Sequence, residues 1–339
     1  MRGHVVCFGE LLLRLGAPGR QLLLQSPAFE ACVGGAEANV AVSLARFGHR
    51  PRMAGAVADN ALGAAATGEL RRHGVDTGAL QAVPGRMGLY FLTPGAIQRP
   101  SEVLYDRADS AFARTGGGDH DWTSLLRGAD WLHVSGVSPA LGQAAAARTL
   151  QAVRAARAAG TRVSFDGNFR PQLWKSWAGD AAGILHAIMS EADLLFASHR
   201  DIEVVLGRTF AQGTAEERFL AGAEAAFAAF PHLHRMTATI RLQRSVDHHA
   251  LSAIDAVRGG ASHATPVHEL ASIVDRIGTG DAFAAGVLHG AITGMDDADG
   301  LNFGLAAACL KHSLPGDFNL VGIGEVEAFL SGNGFDVKR

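Results

Sequence analysis

Residues 275–283 of this 339-residue chain read Asp-Arg-Ile-Gly-Thr-Gly-Asp-Ala-Phe. The short side chains of Gly278, Thr279 and Gly280 allow backbone N–H groups to converge on an anion. The apolar stretch that follows predicts a helix whose N-terminus faces that anion. Asp281 would then lie in the first helical turn beside a bound phosphate, where its carboxylate can accept a proton. The simpler alternative is a turn in which Thr and Asp only cap a helix.

A second glycine motif lies near the N-terminus, where residues 34–41 read Gly-Gly-Ala-Glu-Ala-Asn-Val-Ala. The pattern predicts a helix that starts after the glycines and stops at Gly48. Gly34 and Gly35 permit close approach of a ligand to the backbone. Asn39 carries both a donor and an acceptor, which suits sugar hydroxyls. A plain glycine turn with a cap is the alternative here.

The two motifs, in this order, resemble the two signatures of the ribokinase-type (PfkB) carbohydrate kinases, and the resemblance covers essentially the whole chain. It implies a three-layer α/β core with a mostly parallel central sheet, a small β-sheet lid, and phosphoryl transfer from ATP with Mg²⁺. The family's second signature more often reads Asp-Thr-Thr-Gly-Ala-Gly-Asp. This chain departs from it at three positions, yet it keeps the two glycines and the final aspartate that the chemistry needs.

The hydrophobic pattern supports the same fold class independently. Short apolar runs alternate with longer helical patterns, including an Ala-rich helix predicted over 140–159 and ended by Gly160. Such alternation predicts right-handed βαβ units around a mostly parallel sheet, whose ligands bind beyond the carboxyl ends of the strands. The predicted strands cover residues 130–135, 161–166, 192–197 and 236–240.

Two segments, 11–33 and 85–112, lack helical spacing and contain short β-like runs between Pro and Gly turns. The runs cover residues 22–24, 88–92 and 103–105. They predict a small sheet, and the resemblance implies that this sheet is a lid over the sugar site. A closed lid would exclude water and limit ATP hydrolysis. The core is then predicted to consist of residues 1–10, 34–84 and 113–339.

A third polar motif follows a predicted strand, where residues 166–174 read Asp-Gly-Asn-Phe-Arg-Pro-Gln-Leu-Trp. The forked guanidinium of Arg170 suits a contact that bridges the transferring phosphate and an anionic substrate. A structural ion pair between Asp166 and Arg170 is the alternative. The Leu-Trp extension resembles the 2-keto-3-deoxygluconate kinases within the family.

The lid residues bear on the choice of substrate. Tyr105 and Arg107 are two positions apart, so on a strand they point to one face. The resemblance implies that they hold the carboxylate and hydroxyls of a sugar acid, with Tyr90 as a further ligand unless it only packs the lid. We expect that a neutral sugar would leave Arg107 without a counter-charge, which costs free energy. Glu10 is expected to be a solvated charge more often than a ligand.

The resemblance implies a kinase that phosphorylates the terminal hydroxyl of 2-keto-3-deoxygluconate, with Asp281 as base and Arg170 assisting. Two alternatives stay open: a kinase for a neutral sugar or nucleoside such as fructose, ribose or adenosine, and a non-catalytic sugar-acid sensor. The gluconate and galactonate epimers are not distinguished by the sequence. The implied substrate contacts are Gly34, Gly35, Asn39, Tyr90, Tyr105, Arg107, Arg170 and Asp281.

The nucleotide side matches the family less closely. Ser198 and Asp201 stand where the family has Asn-x-x-Glu, so water-mediated Mg²⁺ binding is expected near Asp166 and Asp201. Arg241 lies where a Thr-x-Gly-x-x-Gly loop is usual, and it either contacts phosphate or is solvated. A K⁺ requirement stays open. The expected nucleotide contacts are Asn168, Ser198, Arg241, Gly278, Gly280, Ala308 and Lys311.

Composition limits the partners and the compartment. The formal net charge of −3 gives no electrostatic reason to expect nucleic acid or an anionic membrane as a partner. Three cysteines without Cys-x-x-Cys spacing argue against a disulfide framework or a zinc site. No run approaches the about 18 apolar residues of a membrane span, and the N-terminal apolar run is too short for a signal peptide. A cytoplasmic protein is expected, which forms a homo-oligomer through open lid edges.

Overall fold

The computed structural model of the chain describes residues 2–332; Met1 and residues 333–339, the last part of the predicted core segment, lie outside the described residues. Within 2–332 the strands are β1 (His4–Phe8), β2 (Leu12–Gly16), β3 (Glu30–Gly34), β4 (Arg50–Ala58), β5 (Asp76–Val83), β6 (Gly88–Thr93), β7 (Glu102–Asp106), β8 (Trp131–Ser135), β9 (Arg162–Asp166), β10 (Leu194–Phe196), β11 (Arg235–Ser245), β12 (His248–Val257), β13 (Ser262–Ala264) and β14 (His268–Leu270). The α-helices are α1 (Ala36–Arg46), α2 (Ala61–Arg72), α3 (Ala111–Thr115), α4 (Trp122–Leu125), α5 (Gln143–Ala158), α6 (Pro171–Lys175), α7 (Ala181–Met189), α8 (His199–Leu206), α9 (Ala215–Ala229), α10 (Thr279–Thr293), α11 (Asp297–Lys311) and α12 (Ile323–Leu330).

The large sheet has ten strands, in the order β13-β12-β11-β10-β9-β8-β1-β4-β5, with β14 paired to β12. Every pairing from β5 through β11 is parallel, and only the strands beyond β11 are antiparallel. The mostly parallel α/β sheet that the alternating pattern predicts is therefore confirmed. β11 extends to Ser245, past the predicted end, because it forms a long hairpin with β12.

Helices cover both faces of this sheet and create two apolar cores. In β1, the side chains of Val5 and Cys7 enter one core, whereas those of Val6 and Phe8 enter the other. This alternation follows from the two-residue period of a strand, and its apolar character on both sides marks a strand buried between two layers. The first core includes residues of α1, α10 and α11, and the second includes residues of α5, α7 and α9.

The small sheet has four strands in the order β3-β2-β6-β7. The predicted β-like run at residues 22–24 is wrong, because these residues form a turn in which Leu24 has a left-handed φ of 62°. Three leucines in a row lack the alternation that would bury one face of a strand, and the side chains of Leu22 and Leu24 are exposed. β2 and β3 on either side of this turn pair with each other instead.

Candidate active site

Helix α10 starts at the predicted phosphate-binding turn. Gly278 is its N-cap with φ of 78°, and a Cβ atom there would lie 2.0 Å from the backbone oxygen of Asp317. A Cβ atom on Gly280 would have no neighbour within 4 Å. The turn is therefore packed against protein on one side and open on the other. N–H groups in the first turn of a helix lack intrahelical acceptors, so the open side is suited to an anion.

Asp281 lies in this first turn and meets Asn39 from α1. The Asn39 Nδ2 donates a hydrogen bond of 2.6 Å to the Asp281 Oδ2. Removal of water by the surrounding protein raises the pKa of Asp281 to about 7, although the bond from Asn39 and the charges of Arg170 and Lys311 oppose the shift. A carboxylate with a pKa in this range is matched to proton transfer near neutral pH.

Asp166 lies at the carboxyl end of β9 on the same side of the sheet. Its Oδ1 accepts a hydrogen bond of 3.1 Å from the backbone N–H of Asn168, whose φ of 36° is in the left-handed region. Desolvation, followed by repulsion from Asp281 and Asp201, raises the pKa of Asp166 to about 8. Strained backbone of this kind is concentrated at functional sites in proteins.

A cavity of about 320 Å³ opens in front of these groups, between the lid sheet and the N-termini of α1 and α10. It unites residues from three motifs and the lid that are far apart in the sequence. The predicted residues that line it are Gly35, Asn39, Tyr90, Tyr105, Arg107, Asp166, Asn168, Arg170, Arg241, Gly278, Thr279, Gly280 and Asp281.

Gly34 does not line the cavity, in contrast to its predicted contact with the substrate. A Cβ atom at this position would lie 2.1 Å from the Asp317 Oδ2. Glycine is therefore required at this position because another side chain packs against its backbone. The adjacent Gly35 does line the cavity, so the two glycines have different surroundings.

Three predicted nucleotide or metal contacts do not line this cavity. Ser198 and Asp201 form a capping box at the start of α8, in which the Asp201 Oδ2 accepts bonds of 2.8 Å from the backbone N–H and the hydroxyl of Ser198. These groups cap the N-terminus of α8, and neither residue lines the cavity. Ala308 is only 1% exposed and belongs to the core, so it forms no cavity wall.

Lys311, an expected nucleotide contact, is fully buried behind the turn at the start of α10. Its Nζ donates a bond of 3.0 Å to the Leu314 carbonyl, and its Cε lies 3.5 Å from the position of a Cβ on Gly278. Burial lowers the pKa of Lys311, whereas the nearby carboxylates of Asp275 and Asp317 oppose that shift. The side chain brings a cation close to the turn without touching the cavity.

Arg107 has a protein counter-charge, which corrects the expectation that only an acidic substrate could supply one. The Arg107 Nε donates a bond of 2.7 Å to the Glu10 Oε2, and the hydroxyl of Ser110 donates to the Glu10 Oε1. Glu10 is 1% exposed, so the expectation of a solvated charge is wrong. The Arg107 guanidinium lies 5.9 Å from the centre of the Tyr105 ring, so the two side chains share one side of the lid as predicted.

Three charged residues at the site were not anticipated. Arg14 on β2 donates bonds of 2.7 Å to the Asp275 Oδ2 and 3.1 Å to the Asp317 Oδ1. The Tyr90 hydroxyl donates a bond of 2.7 Å to the Asp317 Oδ2. A usable signal was present for Arg14, because residues 12–15 read Leu-Leu-Arg-Leu and a buried charge in an alternating strand needs a partner.

Three arginines line the cavity. Arg170, Arg241 and Arg276 all line it, and none of them forms a salt bridge within residues 2–332. The structural pair of Asp166 with Arg170 is therefore not formed. Desolvation and repulsion from Arg276 lower the pKa of Arg241. Unpaired guanidinium groups around one cavity favour a polyanionic ligand.

The fold and this cavity, in which a carboxylate lies beside an open helix N-terminus, define a phosphotransferase. The profile of the pfkB family carbohydrate kinases matches residues 2–319, and the chain belongs to this family. The chain is 33% identical to the 2-dehydro-3-deoxygalactonokinase of Haloferax volcanii, with all of both chains covered. It is 37% identical to a crystal structure of 2-dehydro-3-deoxygluconokinase from Thermotoga maritima, with 98% of this chain and 100% of that chain covered and a TM-score of 0.91. A PfkB family carbohydrate kinase from Listeria grayi is 33% identical, with 97% and 99% coverage and a TM-score of 0.89.

Three further observations concern only residues 2–332. No helix in this range is long and apolar enough to cross a membrane. No group of three or more His, Cys, Asp or Glu side chains in this range is arranged to hold a metal ion. Cys7, Cys32 and Cys309 are free thiols.

Proposed function

We propose that this protein phosphorylates the terminal hydroxyl of 2-keto-3-deoxygluconate with ATP and Mg²⁺, which gives the 6-phosphate. The observation that carries the proposal is the single cavity that contains both Asp281 at the start of α10 and Arg107 from the lid. The carboxylate of Asp281 suits a proton acceptor, and the guanidinium of Arg107 suits recognition of an acidic substrate.

The chemical step needs a proton acceptor and stabilisation of charge on the transferring group. In its ionised form, Asp281 accepts the proton of the acceptor hydroxyl, while Asn39 fixes the orientation of its carboxylate. The backbone N–H groups of Gly278, Thr279 and Gly280 donate to the transferring phosphoryl group, and Arg170 adds a positive charge. These groups are in place before the reaction, so little reorganisation is required.

The residues present fit Mg²⁺-ATP, although they indicate few direct metal ligands. Arg170, Arg241 and Arg276 supply unpaired cations for a polyphosphate. Asp166 and Asn168 line the same cavity, and the Asp166 Oδ1 accepts a bond from the backbone N–H of Asn168. Mg²⁺ retains water readily and binds phosphate oxygens, so it would be held through them, and it would neutralise charge on the phosphates. The Ser198 and Asp201 side chains are committed to capping α8.

The unused hydrogen-bond donors of Arg107 support a sugar acid as the substrate. Its Nε is used by Glu10, whereas its two terminal NH₂ groups have no partner among the described residues and the side chain lines the cavity. This open fork matches the two oxygens of a carboxylate. The names of the Haloferax volcanii and Thermotoga maritima relatives agree on a 2-dehydro-3-deoxy sugar acid and differ in the epimer.

The decisive experiment measures ADP release with ATP and Mg²⁺ across 2-keto-3-deoxygluconate, its galactonate epimer, fructose, ribose and adenosine. The Asp281→Asn protein provides the background rate. A strong preference for the gluconate acid supports the proposal, whereas a preference for the galactonate epimer corrects its stereochemistry. A preference for a neutral acceptor refutes the proposal. The absence of any acceptor-dependent ADP release also refutes it and is the result expected of a non-catalytic sensor. The same assay in KCl and in tetramethylammonium chloride tests a K⁺ requirement.

We also infer that two copies of the chain pair through the lid, which we assign to segments 11–33 and 85–112. The outer face of its sheet carries Leu89, Phe91 and Leu104, and Leu104 is 58% exposed. An uncovered apolar sheet face favours association. Light scattering is expected to give a dimer for the wild type and a monomer for Leu104→Glu, and a monomeric wild type would refute the pairing.

A cytoplasmic location, where ATP is available, is tested by cell fractionation.

A further inference from the structure

One arginine of the lid reaches into the core beneath the phosphate-binding turn. Arg14 is 6% exposed and lies on the inner face of the lid sheet. Its two terminal nitrogens donate to different carboxylates, at 2.7 Å to Asp275 and at 3.1 Å to Asp317. Asp275 and Asp317 belong to two separate loops of the core, so a single lid side chain connects both loops to the lid.

The Asp275 carboxylate and the backbone of Asp317 both contact the turn. The Asp275 Oδ1 accepts a bond of 2.9 Å from the backbone N–H of Ile277, and its Oδ2 accepts a bond of 3.1 Å from that of Gly316. The backbone oxygen of Asp317 packs directly against Gly278. The position of the open N–H groups at the start of α10 therefore depends on these two aspartates.

A second lid contact acts at the same point. Tyr90 on β6 is the register partner of Arg14 on β2, and its hydroxyl donates a bond of 2.7 Å to the Asp317 Oδ2. Both oxygens of the Asp317 carboxylate are thus bound by adjacent lid strands. If the lid lifted, Asp275 and Asp317 would lose their direct partner Arg14 and keep only the charge of Lys311 nearby, which is unfavourable for two buried carboxylates.

We propose that Arg14 is a positioning residue for phosphoryl transfer, which couples closure of the lid to the geometry of the phosphate-binding turn through Asp275 and Asp317. The proposal rests on the proposed kinase activity of the same site. Arg14 acts through the two aspartates and does not touch the reacting atoms. Closure of the lid over an acceptor then completes the turn, and an open lid leaves it unsuited to transfer to water.

The test compares Arg14→Met and Arg14→Lys with Arg20→Met. Arg20 also joins the lid to the core, by a bond of 3.0 Å to Asp247, but this pair is exposed and does not contact the turn. We expect Arg14→Met to lower kcat about 100-fold and to change the KM for the sugar acid less than about threefold, because a misplaced turn weakens the transition state more than the substrate complex. Arg14→Lys keeps one of two bonds and is expected to lose about tenfold in kcat. Arg20→Met is expected to stay within about twofold of wild type.

Hydrogen exchange gives a readout that does not depend on the identity of the acceptor. In Arg14→Met, amides of residues 276–282 are expected to exchange about tenfold faster than in wild type, while the amides of β9 are expected to exchange at the wild-type rate. In Arg20→Met, the exchange of residues 276–282 is expected to stay at the wild-type rate. If Arg14→Met does not fold, the same comparisons are made with Arg14→Lys.

Three results would overturn the proposal: an unchanged kcat in Arg14→Lys, a raised KM with intact kcat, or unchanged exchange in the turn. A wild-type protein that phosphorylates no acceptor would refute the kinase assignment instead, and the exchange data would still decide the coupling of Arg14 to the turn.

Discussion

The side-chain amide of Asn39 donates a 2.6 Å hydrogen bond to the carboxylate of Asp281, across 242 positions of sequence. The bond joins the two glycine motifs, and both side chains line the cavity. It also opposes the rise in the pKa of Asp281 that burial causes. Asn39 thus contributes both to the orientation of the base and to its ionisation.

Replacing Asp281 by Asn tests the role of the base directly. We expect kcat to fall by about 10²–10⁴-fold, because general-base catalysis typically contributes this much. Binding of ATP, measured by calorimetry, is expected to change little because the N–H groups of the turn remain. An Asp281→Asn protein with near wild-type turnover would show that another group accepts the proton.

The pH dependence of both activity and stability follows from the pKa of Asp281. Its value is raised from 3.8 to about 7, so kcat/KM is expected to increase with pH as the carboxylate ionises near neutrality. Between pH 3.8 and about 7, Asp281 keeps its proton in the folded state but has released it in the unfolded state. The stability that this protonated carboxyl contributes to the fold is therefore lost as the pH rises. Asp281→Asn is expected to remove this loss, and denaturant unfolding at about pH 5 and about pH 8 measures it. Asp166→Asn is expected to change the pH dependence of stability in the same direction, because the pKa of Asp166 is also raised, to about 8.

Removal of the amide of Asn39 should raise the pH at which the enzyme becomes active. Asn39→Ala deletes the bond that lowers the pKa of Asp281, so the rise of kcat/KM is expected at higher pH. The rate at the plateau is expected to fall about tenfold through loss of orientation. A pH profile identical to that of wild type would show that the bond contributes no electrostatic effect.

The two glycines of the turn should respond differently to alanine. Gly278→Ala places a Cβ atom 2.0 Å from a backbone oxygen at a φ of 78°, so we expect loss of stability and of activity. Gly280→Ala meets no atom within 4 Å and lies inside α10, so stability is expected to rise by about 0.5–1 kcal/mol. Thermal unfolding of the two variants measures these changes in stability. Equal destabilisation by both would contradict the packing described.

The buried pair of Arg107 and Glu10 makes a stability prediction as well as a substrate prediction. Arg107→Met leaves Glu10 buried without its cation, which typically costs about 3–5 kcal/mol. The double variant Glu10→Gln with Arg107→Met is expected to recover part of this loss. Both proteins are expected to lose activity toward sugar acids more than toward neutral sugars. Urea unfolding and the acceptor panel provide the measurements, and additive stability losses would contradict the pairing.

Local sequence was a good guide to elements and a poor guide to several side-chain partners. The strand that ends at Asp166 and the helix that starts after Gly278 were predicted from short apolar runs and glycine stops. The run at Leu22–Leu24 misled, because β-favouring residues form a strand only where a neighbouring strand is available. Ser198 and Asp201 were expected at the metal but cap α8, a local use that the Ser-x-x-Asp spacing itself indicates.

The sequence by itself determined the mostly parallel α/β core and the two glycine motifs, because apolar periodicity and backbone-specific residues act over a few positions. It also identified Asp281 and Asn39 as members of a single candidate site. Only the tertiary structure decided that Arg107 is neutralised by Glu10 and that Arg14 joins Asp275 to Asp317. These pairs link distant segments, and burial makes a charge depend on whichever partner the fold brings within hydrogen-bond reach.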